Sequence, residues 1–314
     1  MKLISVFTPC YNEQDNVESI YRTVKEIFQS MPQYRYEHVF IDNASRDRTV
    51  EILKDLARND RSVKVIVNTR NFGHIRSPYH GLLQCSGDAV IYMVADFQDP
   101  PELMPEFLKK WEEGARIVIG VKEKSKESPV MFAVRRLYYS LIGKLSEIEL
   151  IKNFSTYALY DKEVLEVLKK INDPFPYLRG LICDLGFSRA EVKYTQNRRE
   201  RGITSNNFYT LYDNAMLGIT NHSKVPLRIA TFSGFVLSIV CLLAGLGYLV
   251  YKLIRWNDFQ LGLAPMIIGL FLFSSMQLFF TGILGEYIGA IHTQVLKRPL
   301  VIEKERINFD SDPE

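Results

Sequence analysis

An α/β fold with a mostly parallel sheet, followed by a hairpin of two membrane-crossing helices, is what this 314-residue sequence predicts. Short apolar runs alternate with amphipathic stretches from the first residues onward, the pattern of a sheet covered by helices on both faces. Polar clusters fall at the ends of those runs, where parallel sheets hold their ligands. Near the C-terminus, 229–251 and 259–285 carry no Asp, Glu, Lys or Arg. Each exceeds the roughly 20 residues that cross a hydrocarbon core.

The elements follow in order. LISVFT at 3–8 reads as a strand and 12–29 as a helix; YEHVFID at 36–42 and then 45–57 repeat the pair. VKVIV at 63–67 precedes a helix from about Ile75, DAVIYMVAD at 88–96 precedes one after Pro101, and ARIVIGV at 115–121 is a further strand. Pro100 and Pro101 suit a helix start. Between 122 and 207 the pattern loosens, leaving a strand at 157–160 and a helix at 161–170. The expected organisation is a cytoplasmic domain at 1–205, an amphipathic segment at 206–228, spans at 229–253 and 261–285, and a cytoplasmic tail at 286–314. The 206–228 segment suits either a lipid interface or packing on the domain.

Composition narrows the function. The chain has 47% hydrophobic residues, 24% charged residues and a net charge of +3, too little for a nucleic-acid partner. Its four cysteines, Cys10, Cys85, Cys183 and Cys241, lack the spacing of a zinc or redox site and read as buried apolar residues in a reducing compartment. No secretory signal opens the chain, so the first two thirds are expected in the cytoplasm. The link at 252–259 is too short for a domain, which places both span flanks on one side. Lys224, Arg228, Lys297, Arg298, Lys304 and Arg306 make that side cytoplasmic, against Lys252 and Arg255 in the link.

Neither a dinucleotide fingerprint nor a phosphate-binding P-loop is present. Asp96, Gln98 and Asp99 follow an apolar strand and offer hard oxygen ligands for a divalent cation on a diphosphate. His74 suits a place near the donor or a helix cap. Glu286 suits a basic flank or another subunit.

TPCYNEQDN at 8–16, IDNASRDRT at 41–49, NFGH at 71–74 and ADFQDPPE at 95–102 resemble, in order and spacing, family 2 glycosyltransferases of the GT-A fold. The polyprenyl-phosphate branch matches best, with its bactoprenol glucosyltransferases and dolichol-phosphate mannose synthases. The motifs cover about two thirds of the chain, and the paired spans match the bactoprenol layout. The resemblance implies a nucleotide-sugar-binding domain with Pro9, Tyr11, Glu13, Asp42, Ala95 and Asp96 around the donor nucleotide. It makes Asp96, Gln98 and Arg199 catalytic, with Mg²⁺ or Mn²⁺ on Asp96 and Gln98. Arg135, Arg136 and Arg199 are expected on the acceptor phosphate, because guanidinium forks suit phosphate oxygens. Asp42 reads as a base contact ahead of a turn; Ser45 and Asp47 read as caps first.

Three positions depart from the family pattern. Val94 stands where many relatives carry a first Asp, Ser205 where a Lys is common, and Asn153-Phe154-Ser155 where a carboxylate sometimes serves as base. A lipid phosphate with a second pKa near about 6 is already ionised at neutral pH and needs no strong base. The implied reaction is inverting transfer of glucose from UDP-glucose to undecaprenyl phosphate, for O-antigen or envelope glycan modification at the bacterial inner membrane, by a homo-oligomer resembling a tetramer. Two alternatives stand beside it: a GDP-mannose-dependent synthase, and a degenerate membrane scaffold partnering a flippase.

Overall fold

The computed structural model describes residues 1–124, 154–171, 173–196, 225–254 and 263–309. The chain divides into two units; one carries the sheet and takes back the chain from Leu296 onward, the other carries the two long helices.

Among the described residues the sheet unit has eight strands: β1 (Lys2–Cys10), β2 (Tyr34–Asp42), β3 (Val63–Asn68), β4 (Ala89–Tyr92), β5 (Ile117–Lys124), β6 (Phe154–Asp161), β7 (Arg189–Thr195) and β8 (Glu303–Ile307). They lie in the order β7-β5-β6-β4-β1-β2-β3-β8. β1 pairs in parallel with both β2 and β4, and β2 with β3, giving the parallel core expected from the sequence. β6 runs antiparallel to β4 and β5, β7 parallel to β5, and β8 antiparallel to β3. The chain leaves β1 toward β2 on one side and adds β4 on the other. That reversal is the switch point at the carboxyl ends of β1 and β4, the position of the crevice in which open α/β sheets bind ligands.

Alternation along the strands builds two cores. Ile4 and Val6 of β1 and Phe40 of β2 join the cluster beneath α1 (Val17–Gln29), α2 (Thr49–Asn59) and α4 (Met104–Glu112). Phe7, Val39 and Ile41 face the opposite cluster with α3 (Gly73–Leu83), α5 (Lys162–Lys170) and α6 (Leu178–Asp184). α1 shows the helical logic plainly: Val17, Ile20, Tyr21, Val24 and Phe28 form one buried stripe. α3 lies so close to the sheet that a Cβ on Gly81 would meet Phe7 at 2.5 Å. Asp161 caps α5 by accepting from the Glu163 amide at 2.8 Å, so that helix starts one residue later than expected.

Several boundaries move. β4 ends at Tyr92, which leaves Asp96 in a loop rather than at a strand end, because the crevice begins where pairing with β1 stops. Likewise α1 starts at Val17 and α2 at Thr49, the preceding residues being held in loops. Pro101–Leu103 forms a single 3-10 turn into α4. β7 and β8 were not foreseen. β8 covers the edge of β3, pinned by the Thr69 amide on the Ile302 carbonyl at 3.0 Å and Asn308 on Ala57 and Val63 carbonyls at 2.7 and 2.8 Å. Covering an edge strand removes a template for unwanted pairing.

The helical unit carries α7 (Val225–Ile254) and α8 (Leu263–Val295). Among the described residues, Val225–Gly247 is the stretch long and apolar enough to cross a membrane, with none of it buried. α7 is already helical at Val225, four residues before the expected 229. Of the cysteines, Cys10 and Cys85 are buried as expected, but Cys183 is half-buried and Cys241 lies exposed on α7.

Candidate active site

The loops that follow β1, β2 and β4 form the rim of the crevice. Each contains a non-glycine residue at positive φ: Asn12 at 56°, Ala44 at 61° and Phe97 at 55°. This conformation costs an L-residue roughly 1–2 kcal/mol, and such strain concentrates where a loop must aim a side chain.

Hydrogen bonds lace the first two loops together. The Asn12 amide donates to Ser45 Oγ at 2.9 Å, and its side-chain oxygen accepts from the Arg46 amide at 2.8 Å. The Glu13 amide reaches Thr49 Oγ1 at 2.9 Å, and Gln14 exchanges bonds with Asp47 and the Arg48 amide at 3.2 and 3.1 Å. Asp47 also accepts from the Thr49 amide and hydroxyl at 3.0 and 2.6 Å, the capping role expected for it. The loop after β3 is stapled on by Asn43, which is buried. Its amide donates to Asn71 Oδ1 and the Gly73 carbonyl at 3.0 and 3.1 Å, while its oxygen accepts from Phe72 N and Asn68 Nδ2 at 2.9 and 3.3 Å.

Asn43→Ala therefore strips a partner from the buried Phe72 amide and from the buried Asn68 side chain. We expect a loss of about 3 kcal/mol, since each buried group left unsatisfied costs about 1–3 kcal/mol. Thermal unfolding of the variant measures it; an unchanged midpoint would show the staple to be dispensable.

The expected donor residues occupy different positions on this rim. Pro9 is half-buried at the end of β1, in register with Ile41, and Tyr11 projects with 40% of its surface exposed. Glu13 is half-buried and accepts from Asn16 Nδ2 at 2.6 Å. Ala95 is buried. Asp42 is fully buried; one oxygen takes the Ser45 amide at 2.9 Å and the other the Ser45 hydroxyl. Burial holds its carboxyl above the usual range despite those bonds. Its geometry is that of a turn cap. Burial also pushes the Cys10 thiol up, helped by the charges of Asp42, Glu13 and Asp47. The rim is thus rich in carboxylates, and a diphosphate brought to it meets repulsion unless a cation intervenes.

Asp96 and Gln98 are both half-buried on the loop after β4. Asp96 Oδ1 accepts from the Gln98 amide at 3.2 Å, and Gln98 Oε1 accepts from Gln196 Nε2 at 3.2 Å. Asp99, offered by the sequence as a third ligand, is instead buried and receives the Tyr194 hydroxyl. The fold uses it to anchor the loop, with the Tyr157 hydroxyl on the Pro100 carbonyl at 2.9 Å. Among the described residues no cluster of three or more His, Cys, Asp or Glu forms a metal site. One carboxylate and one amide oxygen still fit a cation whose other ligands are diphosphate oxygens and water. Half-buried Val94 adds no charge.

Sequence reasoning missed Asn43, Tyr157, Tyr194 and Gln196 as supports of this site. Their signal was thin: an Asn directly after a strand, and polar tips within short alternating runs. His74 is exposed at the start of α3. Arg135, Arg136, Arg199, Asn153 and Ser205 lie outside the described residues.

These strand-end loops coincide with a sequence signature: residues 5–169 match the family described as glycosyl transferase family 2. The chain belongs to glycosyl transferase family 2. Its sheet is accordingly an α/β GT-A fold, and the protein is a glycosyltransferase. The SfII prophage-derived bactoprenol glucosyl transferase of Shigella flexneri is 32% identical over 303 residues, covering 96% of this chain and 97% of that one. The prophage bactoprenol glucosyl transferase homolog of Escherichia coli (strain K12) is 31% identical, covering 96% and 98%. An uncharacterized glycosyltransferase of Bacillus subtilis (strain 168) is 31% identical, covering 98% and 95%. Among solved structures, mannosyl-3-phosphoglycerate synthase from Rubrobacter xylanophilus aligns at a TM-score of 0.46 and 18% identity, over 74% of this chain and 75% of that one.

Proposed function

We propose that this glycosyltransferase moves glucose from UDP-glucose, with inversion, onto undecaprenyl phosphate at the cytoplasmic face of a bacterial inner membrane. The observation that carries the reading is the union, in one chain, of the Asp96 loop and an apolar helix with none of Val225–Gly247 buried. Phe232, Phe235, Leu242 and Leu243 are 62–73% exposed along it, and each such side chain gains about 1.5–3 kcal/mol on leaving water. A bilayer supplies that environment, with α7 and α8 as the two arms of a hairpin. The names of the Shigella flexneri and Escherichia coli relatives support a lipid-phosphate acceptor and glucose as the sugar.

In this reading Tyr11 offers its exposed ring to the nucleotide base, and Asp42 holds the turn beneath it. Asp96 and Gln98 would hold Mg²⁺ or Mn²⁺, which supplies positive charge for the departing nucleoside diphosphate. Tyr157, Tyr194 and Gln196 fix the loop that carries them, so no reorganisation is needed as charge develops. Arg135, Arg136 and Arg199 draw in the acceptor phosphate. That phosphate is its own nucleophile, and binding it in line with the anomeric carbon replaces base catalysis by positioning. The product serves envelope glycan modification such as that of O-antigen, and the enzyme works as a homo-oligomer.

The test is incubation of the purified full chain with Mg²⁺, undecaprenyl phosphate and either UDP-glucose or GDP-mannose. A lipid product heavier by one hexose with UDP-glucose is expected. A product from GDP-mannose alone would transfer the protein to mannose synthesis, and UDP binding without turnover on any sugar would make it a scaffold.

A further inference from the structure

We propose that Arg70, Arg76 and Arg298 together bind the phosphate of an anionic phospholipid headgroup. Arg70 follows β3 and Arg76 lies on α3, and both guanidinium groups sit over the ring of Phe72, at 4.0 and 5.7 Å from its centroid. Arg76 also donates to the Pro299 carbonyl, which brings its guanidinium against the segment that bears Arg298. Two cations thus share one aromatic ring, and Arg298 adjoins the carbonyl that Arg76 holds.

Their surroundings lack the expected counter-charge. Arg22, Arg48, Arg58, Arg116 and Arg306 each pair with a carboxylate. Among the described residues, no ion pair joins Arg70, Arg76 or Arg298 to one. Glu303, in the strand that follows, is engaged by His80 and Arg306. Arg76 Nε is buried without a hydrogen-bond partner. An unmet donor on a charged group is costly, and a bound anion would satisfy this one. Burial, then the charges of Arg70 and Arg298, hold the Arg76 guanidinium below its usual range, so an arriving anion relieves real repulsion.

The chemistry selects the ligand class. Guanidinium forks match phosphate oxygens, and several forks on one anion add geometric specificity. A lipid is favoured over free phosphate because Arg298 follows the last residue of α8 by three positions, with Lys297 beside it. This point rests on the proposed membrane hairpin; basic residues immediately beyond a span meet the anionic surface of the cytoplasmic leaflet.

The full chain, purified in neutral detergent, is titrated with phosphatidylglycerol, phosphatidylcholine or inorganic phosphate, and bound ligand is counted by native mass spectrometry. Phosphatidylglycerol should bind, and Arg70→Gln or Arg298→Gln should each weaken it about fivefold, the double variant about 25-fold. Arg298 is exposed, so its loss leaves the fold intact even if Arg76→Gln does not express. Unchanged affinity in the double variant overturns the site. Displacement of the lipid by equimolar inorganic phosphate overturns its assignment to a headgroup. Detergent phase separation tests the membrane reading independently: recovery in the aqueous phase removes the hairpin, whereas variant-insensitive binding by chain in the detergent phase removes the arginine site alone.

Discussion

Replacing Asp96 by asparagine should lower transfer by about 10²–10³-fold while the protein stays folded. The substitution keeps an oxygen that can accept from the Gln98 amide, so the turn at Phe97 keeps its geometry. What disappears is one negative charge at a rim where a cation must bridge protein and diphosphate. Losing a preorganised charge at a reacting centre costs about 3–4 kcal/mol in the transition state, and Val94 offers no neighbouring carboxylate to compensate. The fall should appear in kcat more than in KM for the donor, because the charge acts on the leaving group. Asp96→Ala should match it, and EDTA should reduce the unmodified enzyme to a similar level. An asparagine variant with near-normal kcat would remove the cation from Asp96. Asp99→Asn makes a useful contrast, because its buried carboxylate meets the Tyr194 hydroxyl and its loss should read as instability first.

Stability should fall steeply as pH drops from about 6.5 to 4.5, and His38 should account for much of that fall. His38 is fully buried on β2, stacked on Phe40 at 3.9 Å, with Nε2 3.0 Å from Thr8 Oγ1 and Nδ1 unpartnered. The less costly tautomer has Nε2–H donating to Thr8, leaving a bare lone pair on Nδ1 rather than a stranded N–H. Burial pushes its pKa down to about 3. The unfolded chain titrates near about 6.5. Between these values only the unfolded chain takes up the proton, so acidification favours unfolding by about 1.4 kcal/mol per pH unit. Over two units the His38 contribution is about 2–3 kcal/mol. Carboxylates held low in the fold, such as Glu303 at about 2, lose their contribution further down, as pH drops below about 4.5. Asp42 works in the opposite direction, its raised folded value making it less destabilising as pH falls, but it is common to both proteins compared. His38→Leu should flatten the dependence of the thermal midpoint on pH in this window. Equal slopes in variant and parent would show that the imidazole is protonated in the folded state.

Most of the parallel core was legible because its signal is local. Runs such as VKVIV at 63–67 are buried on both faces, and amphipathic stretches such as the Val17–Phe28 stripe declare helices without reference to anything distant. β7 and β8 were not legible for the opposite reason. In β7 only Val192 and Tyr194 are buried, among charged neighbours, and β8 reads Glu-Lys-Glu-Arg-Ile. Each exists through its ladder to a strand far away in the chain, and no composition rule announces such a partner.

The site divides along the same line. By itself the sequence determined which segments are strands of a parallel sheet, where their polar ends lie, and that an apolar stretch follows, since hydrophobic period and length are properties of neighbours in the chain. Only the tertiary structure decided that Asp42 caps a turn, that Asp99 anchors a loop through Tyr194, and that Asp96 stands half-buried at the crevice. Carboxylates look alike in a sequence; what separates them is the set of donors brought within about 3 Å, local for Asp42 (Ser45) and Asp96 (Gln98) but remote for Asp99, whose donor Tyr194 lies on β7.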